Sequence, residues 1–377
     1  MSARRLDAAA LRTWAHAAVE DLIVHTDEIN GLNVFPVADA DTGTNMLFTM
    51  RAARVEADAC PGDVAAVAAA LARGALHGAR GNSGVILSQI LRGLAEETAA
   101  ASAGPGDTPA VDAPMFGAAL CRGVDLAVAS LGESVPGTIV SVLGASARAA
   151  QAVATAGDLG TVVRAAADAA ASALDETPSQ LDVLAEAGVV DAGGRGLLVL
   201  LDALVRTLTG TAAERVAYAP AARAVRVGAA VAAPPQFEVM YLLSGCDPDG
   251  VEALRGRLEH LGDSVVIAAS GSGQPGHYSI HVHADDAGAA VEAGLAAGAL
   301  SRIQITALTG AAPARSPGSR GRAVLAVVDG AGAAELFAGE GAHVLRRPRN
   351  GAQVSAKELL SALVDTGAGQ ALSLIHI

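Results

Sequence analysis

Through the first 209 residues, apolar positions recur three and four apart, and alanine fills much of the space between them. Leu11, Trp14, Ala15, Ala18, Val19, Leu22 and Ile23 share one face of a helix predicted over about 6–28, ending near Asn30-Gly31. The same period predicts helices opened by Thr42–Asn45, from Val64 to His77, from Val85 onward, and from Met115 to Leu131. Others start at Thr138, run from Leu159 to Leu174 and from Thr177 to about Ala187, and follow from Leu197. Eight or nine helices without a convincing strand predict an all-α domain over 1–210. Residues 211–235 have no firm period and read as a linker. Behind it the period shortens: Phe237 to Leu243, Ser264 to Ala269, Tyr278 to His283 and Arg302 to Leu308 read as strands. With helices at Pro248 to Leu261 and Ala287 to Ala297, they give a βαββαβ domain over 236–310. A second linker, 311–321, precedes an α/β segment over 322–377, with strands at Ala323 to Val328 and Ala342 to Leu345. Its helices fall at Gly332 to Ala338 and Ser355 to Val364, and it reads as the start of a domain cut short, since two strands cannot form a covered parallel sheet.

Composition narrows the classes. The 51% hydrophobic content is carried largely by small residues, and no uncharged apolar run approaches the ~18 residues of a membrane span. The N-terminus lacks the apolar core of a signal peptide, and three scattered cysteines make no disulfide framework, so a cytoplasmic location is expected. A net charge of −13 and 2% aromatics argue against a nucleic-acid partner. Cys60 and Cys121, on alanine-rich segments, read as small buried hydrophobes.

The polar chemistry gathers at loop–helix junctions. Asp39 and Asp41 flank one small residue, a spacing that lets two carboxylates meet one hard cation such as Mg²⁺, with phosphate completing its shell. Thr42, Gly43, Thr44 and Asn45 follow at a predicted helix start whose free N–H groups would face the same spot; an ordinary Asp-rich turn is the alternative. Gly81, Asn82, Ser83 and Gly84 open another helix, where glycines allow close phosphate approach and the polar pair can cap or donate. Thr138 begins a third, and Asp191 with Gly193 and Gly194 a fourth. His281 and His283, two apart in a strand, point the same way and can chelate Zn²⁺ with a third ligand, Cys246 being the candidate; a polar outer face is the alternative.

These motifs give the chain its resemblance to a known family. Leu32 to Val37 with Asp39 to Met46, Gly78 to Gly84, Pro136 to Ile139 and Ala187 to Gly194 resemble, in order, the kinase subunit of the bacterial fatty-acid kinase system. The first domain of that subunit is related to the nucleotide-binding L subunit of dihydroxyacetone kinase (DhaL). The resemblance continues through His281-Val282-His283 and Ala334 to Phe337. It implies an eight-helix barrel binding ATP through Mg²⁺, with Asp39 and Asp41 as metal ligands and Asn33 as a neighbour in that shell. Thr42, Thr44, Asn45, Asn82 and Ser83 would hold phosphates, and Thr138, Asp191 and the following glycines would line the remaining pocket. The implied reaction is phosphoryl transfer to the carboxylate of a fatty acid presented by a carrier protein, by a homodimer. Dihydroxyacetone kinase-like transfer to a triose, and a non-catalytic ATP-binding scaffold, are the alternatives.

Three departures from the family stand out. Ala40 replaces a glycine and would be strained if that position needs a positive φ. Gln236 or Phe237 stands where many relatives carry a cysteine that can share zinc with the histidines. Relatives continue past residue 377, and Leu372 to Ile377 reads as translated adapter DNA, so a truncated gene model is expected.

Overall fold

The computed structural model describes residues 5–102, 110–132, 134–155, 157–221, 235–270, 276–308, 322–339, 341–347, 354–366 and 370–374. Two compact units result, Met1–Thr309 and Gly310–Ile377. The first begins with ten helices: α1 (Ala8–Leu32), α2 (Thr42–Ala59), α3 (Val64–His77), α4 (Gly81–Ser102), α5 (Ala113–Leu131), α6 (Ile139–Val153), α7 (Leu159–Asp175), α8 (Thr177–Gln180), α9 (Asp182–Ala187) and α10 (Ala192–Thr209). The single helix expected from Thr177 to Ala187 is two, broken at Leu181, whose extended backbone interrupts the helical turn. Each of α1 to α7 packs on its successor, α7 on α10 and α10 on α1, so eight long helices close a ring.

Small residues set how closely the ring can pack. A Cβ on Gly93 of α4 would lie 2.6 Å from both Ala119 O and Gly123 N of α5, so side chains there would push the two helices apart. Helix α5 is long and apolar enough to cross a membrane by composition alone, but here Phe116, Leu120 and Leu126 are buried and its neighbours are α4 and α6. Cys60 and Cys121, expected to be buried, are only half-buried; Cys60 is the C-cap of α2, outside the helical packing face.

The acidic surplus has a structural share. Asp7, Asp63, Asp112, Asp158 and Asp191 each accept a backbone N–H at the start of α1, α3, α5, α7 and α10. Each such cap stabilises its helix by about 1 kcal/mol.

Residues 211–221 do not behave as a free linker. Arg215 pairs with Asp202 and Asp168, the Tyr218 hydroxyl donates to Asp175 at 2.7 Å, and Ala221 N donates to Gly31 O at 2.8 Å, laying the segment along the helices. The remainder of that predicted linker, 222–234, and the second linker lie outside the described residues.

The rest of the first unit is β1 (Phe237–Ser244), α11 (Pro248–Leu261), β2 (Gly262–Ala269), β3 (His277–Ala284), α12 (Ala287–Ala297) and β4 (Ala299–Ala307). They form the expected βαββαβ order, in an antiparallel sheet β2-β3-β1-β4. One face buries Val239, Tyr241, Leu243, Ile280 and Val282 under α11 and α12. The opposite face is not solvated: Met240, Val266 and Ala268 pack with Leu76, Ala79 and Val85 of the helical ring. Arginines fasten the joint. Arg302 donates to His77 O at 3.0 Å and Arg255 to Ala129 O and Ser130 O at 3.4 Å, which places cations at the C-terminal ends of α3 and α5, where the helix dipole favours them. From the other side Arg92 of α4 reaches Ala269 O at 2.8 Å.

The second unit holds β5 (Arg322–Val328), α13 (Gly330–Gly339), β6 (His343–Arg346), α14 (Ala356–Asp365) and β7 (Gln370–Leu374). Two strands were expected; a third, β7, pairs parallel with β5 and gives the order β6-β5-β7 around buried Leu325 to Val328.

Because Met240 is 6% exposed on the sheet face that meets the helices, Met240→Ala should destabilise the chain by about 2–3 kcal/mol in urea unfolding. A near-neutral effect would mean that this face is not packed in solution.

Candidate functional site

The last turn of α1 builds the acidic loop. Asn33 Oδ1 accepts from Asp41 N at 3.1 Å and Thr42 N at 3.3 Å, while its Nδ2 donates to Val37 O at 2.9 Å. One turn earlier, Asn30 Oδ1 accepts from Gly43 N at 2.8 Å and Thr44 N at 3.2 Å, and its Nδ2 donates to Thr44 Oγ1 at 3.0 Å. Two asparagines thus satisfy four successive amides at the start of α2. Such amides are normally orphaned and can hold an anion. The expectation that they face phosphate is corrected: Gly43 and Thr44 join α2 to α1. Asn33, expected beside the metal, has both lone-pair directions of its oxygen taken and acts as the brace of the loop.

This bracing has a chemical consequence. Asp41 is the N-cap of α2 yet makes no side-chain cap bond, so its carboxylate is left to meet Asp39. Crowding by protein atoms, then the charge and side-chain hydrogen bond of Asp41 and the charge of Glu238, raise the Asp39 carboxyl to about 8. Asp39 keeps an exposed edge, so the neighbouring carboxylates are the firmer cause. Glu238 of β1 is raised to about 7, by burial and then by the Asp41 charge, against a hydrogen bond from Thr306 and the charge of Arg80. Asp39 and Glu238, both raised beside the Asp41 charge, mark a site that a cation relieves. Ala40, between the two aspartates, sits at φ +56°, the left-handed region that its glycine counterpart would enter freely.

The start of α4 lies against this loop. Gly81, at φ +56°, packs on the Asn45 amide so closely that a Cβ would collide with it. Thr49 Oγ1 donates to Asn45 O at 2.8 Å and accepts from Arg80 N at 3.3 Å, tying α2 to α4. Asn82 Oδ1 is buried with no partner among the described residues, the kind of orphan that a ligand donor or hydrated cation satisfies. Arg80, which no sequence motif singled out, stacks on Phe48 with its guanidinium carbon 4.1 Å from the ring centroid.

Asp191 draws the other two junctions together. It accepts from Gly194 N at 2.7 Å and also from the Gly193 and Ile139 amides, so it caps α10 and ties it to α6. Burial raises it to about 6, and the three backbone bonds oppose that rise. Gly194 is a packing position against Val142 and Leu174. The Thr138 hydroxyl donates to Val135 O at 2.8 Å instead of capping α6. Arg195, likewise outside the sequence motifs, is buried and forks onto both oxygens of Glu28, at 3.0 and 3.1 Å, anchoring α10 beside the end of α1.

Thr42, Asn82, Ser83, Thr138, Asp191 and Gly193 line one wall of a cleft of about 420 Å³. The facing wall is Glu259 and Gly262 to Val266 of the β-domain, which no sequence motif announced. The same domain brings His281 and His283 to the aspartates. In the sheet register His281 faces Met240 and Val266, and His283 faces Glu238 and Asp263, all on the side turned to the helices. An outer polar face is therefore overturned: His281 is 0% and His283 4% exposed. Cys246 is overturned as third ligand, since it lies in the opposite core under α11. Glu238, not Cys246, stands with the histidines: the donor atoms of Glu238, His281 and His283 lie within 4.8 Å of one another. Both nitrogens of His281 and Nδ1 of His283 are buried without hydrogen-bond partners among the described residues. Burial lowers both imidazole pKa values, holding the rings in the neutral form that ligates metals.

A family model described as DAK2 domain matches residues 36–206, and one described as the middle domain of FakA-like fatty acid kinases matches 234–313. Protein YloV of Bacillus subtilis (strain 168) is 30% identical over 395 residues, covering 98% of this chain and 69% of that protein. An uncharacterized protein of Staphylococcus epidermidis (strain ATCC 12228) is 36% identical over 197 residues, covering 52% of this chain and 34% of that protein, so the match spans about a third of the relative. The crystal structure of the dihydroxyacetone kinase of C. freundii aligns with a TM-score of 0.38 at 19% identity, over 53% of this chain and 34% of that one. With a DAK2 domain joined to such a middle domain, and similarity to YloV along nearly its whole length, the chain belongs to the FakA-like fatty acid kinase family.

Proposed function

We propose that the chain is an ATP- and Mg²⁺-dependent kinase that phosphorylates the carboxylate of a fatty acid presented by a separate carrier protein, giving an acyl phosphate. The observation that carries this reading is the pair Asp39 and Asp41, left uncapped, with Glu238 crowding Asp39, next in sequence to Thr42, which lines a cleft of about 420 Å³. The eight-helix ring is on this reading the nucleotide-binding barrel, and its polar junctions form the binding end. Domain limits at 1–210, 236–310 and 322–377 accompany the proposal, as do the cytoplasmic setting and a homodimer.

The donor set fits Mg²⁺, a hard ion that takes carboxylate and phosphate oxygens. When bound, it would supply charge stabilisation for the transferring phosphoryl group. Asp39 and Asp41 would hold it; Asn82, whose Oδ1 lacks a partner among the described residues, and Ser83 would orient the phosphates from the start of α4. Asn30 and Asn33 hold the loop still, so the carboxylates need little rearrangement at the moment of reaction. The bond from the γ-phosphorus to the β–γ bridging oxygen breaks as one forms to a carboxylate oxygen, and ADP leaves. A fatty-acid carboxylate is ionised at neutral pH, so this step needs no general base. Glu238, His281 and His283 suit a second cation such as Zn²⁺, an oxygen and two neutral imidazole nitrogens being a familiar donor set for it.

Three measurements test this reading. ATP consumption with Mg²⁺ and a fatty-acid-loaded carrier should exceed that with dihydroxyacetone; turnover with the triose alone would replace the acyl reading. Asp39→Ala or Asp41→Ala should abolish the transfer while leaving helical circular dichroism near wild type, and full activity in either variant would remove the metal assignment. Ala40→Gly should raise stability by about 0.5–1 kcal/mol in urea unfolding, because glycine adopts φ +56° without the cost an alanine bears. A loss of stability would show that the loop is not held in that conformation.

A further inference from the structure

The cleft has two unlike walls. On the helical wall the polar Thr42, Asn82 and Ser83 stand with the start of α2 and of α4. Farther along it presents Ile86, Leu131, Val135 and Ile139, which can pack on a flat base but cannot read hydroxyl groups. The polar groups in that stretch of the wall are already engaged: Asp191 by the amides of α10 and α6, Thr138 by Val135 O. A nucleotide bound here would find free acceptors for its sugar on the facing wall.

That wall is shaped for the cleft. β2 is bulged between Asp263 and Val266, and Ser264 within the bulge sits at φ +54°, uncommon for a residue other than glycine. Bulges re-aim side chains beside functional sites, and residues in sparsely populated conformations gather there. Asp263 belongs to this wall, its Oδ1 3.7 Å from His283 Nδ1, and its side chain is 62% exposed. Glu259 lines the same wall from the last turn of α11, the helix whose Arg255 rests on the end of α5 close to Leu131. An ionised carboxylate only accepts hydrogen bonds, so what it recognises is a donor. Between phosphate and base, the donors of a nucleotide are the ribose hydroxyls.

From this juxtaposition we infer that the middle domain supplies the sugar-recognition half of the nucleotide site, with Asp263 accepting from the ribose 2′-hydroxyl and selecting ribonucleotides over 2′-deoxyribonucleotides. The inference rests on the proposed ATP-binding role of the cleft. It makes Asp263 a specificity residue, distinct from the carboxylates that hold the cation. It also explains why the sheet is fastened to α3 and α5 by arginines: the two walls must keep a fixed separation to grip one nucleotide.

The test is calorimetric titration of the full chain with Mg·ADP and, separately, Mg·2′-deoxy-ADP. Wild type should favour ADP by about tenfold, the scale of one hydrogen bond to a charged group. Asp263→Ala should weaken ADP to the level of deoxy-ADP and leave deoxy-ADP unchanged, bringing the ratio near one. Asp263→Asn, which keeps one acceptor oxygen, should fall between. Equal affinities in wild type, or equal losses for both nucleotides in Asp263→Ala, would overturn the assignment. Binding of neither nucleotide by wild type would overturn the ATP-binding reading itself, and this inference with it.

Discussion

The site depends on one substitution of roles between side chains. At α1, α3, α5, α7 and α10 an aspartate, Asp7, Asp63, Asp112, Asp158 or Asp191, caps its own helix. At α2 the capping is done instead from α1 by Asn30 and Asn33, and Asp41 is freed. A neutral amide can satisfy backbone N–H groups without adding charge, so the two acids of the loop need not be consumed by structure. They are then forced together with Glu238, at a cost in mutual repulsion that only a cation or a proton removes. The strain at Ala40 belongs to the same arrangement, since the residue between the two acids must turn left-handed.

The second constraint is the burial of both faces of a small antiparallel sheet. A four-stranded sheet with two helices on one side commonly leaves its other face to water. Here that face carries Met240, Val266 and Ala268 onto the ring, and the histidines and Glu238 travel with them. The apolar packing holds the domain in place, and the polar residues of the same face are thereby delivered to the aspartates. Phosphoryl-transfer chemistry relies on position and charge more than on covalent participation, so fixing two walls around a cleft is what such a fold has to accomplish.

Much of this was legible in the sequence. Helix existence followed from the 3.6-residue period of Leu, Val and Ile against alanine, and α3, α11 and α12 fall at the expected limits. The βαββαβ order was equally clear. The direction of the β3 histidines was not: Ser279, His281 and His283 alternate with Ile280, Val282 and Ala284, a pattern that reads as polar-out when nothing reveals a second covering layer. The role of Asn30 was hidden behind its use as a stop signal, although two asparagines three apart at a helix end, just before an acidic loop, are a usable sign of capping in trans. Arg195 escaped notice within a glycine run, because its partner Glu28 is distant in the chain. β7 was unreadable as a strand because a five-residue segment carries too little period.

The most direct measurement is the binding of Mn²⁺, as a paramagnetic substitute for Mg²⁺, followed by electron paramagnetic resonance with and without ADP. If Asp39 and Asp41 share their cation with the phosphates in the cleft, Mn²⁺ affinity should rise several-fold when ADP is present, and Asp41→Ala should remove that rise. Mn²⁺ binding that is indifferent to ADP, or unchanged by Asp41→Ala, would contradict a common metal–nucleotide site at the start of α2.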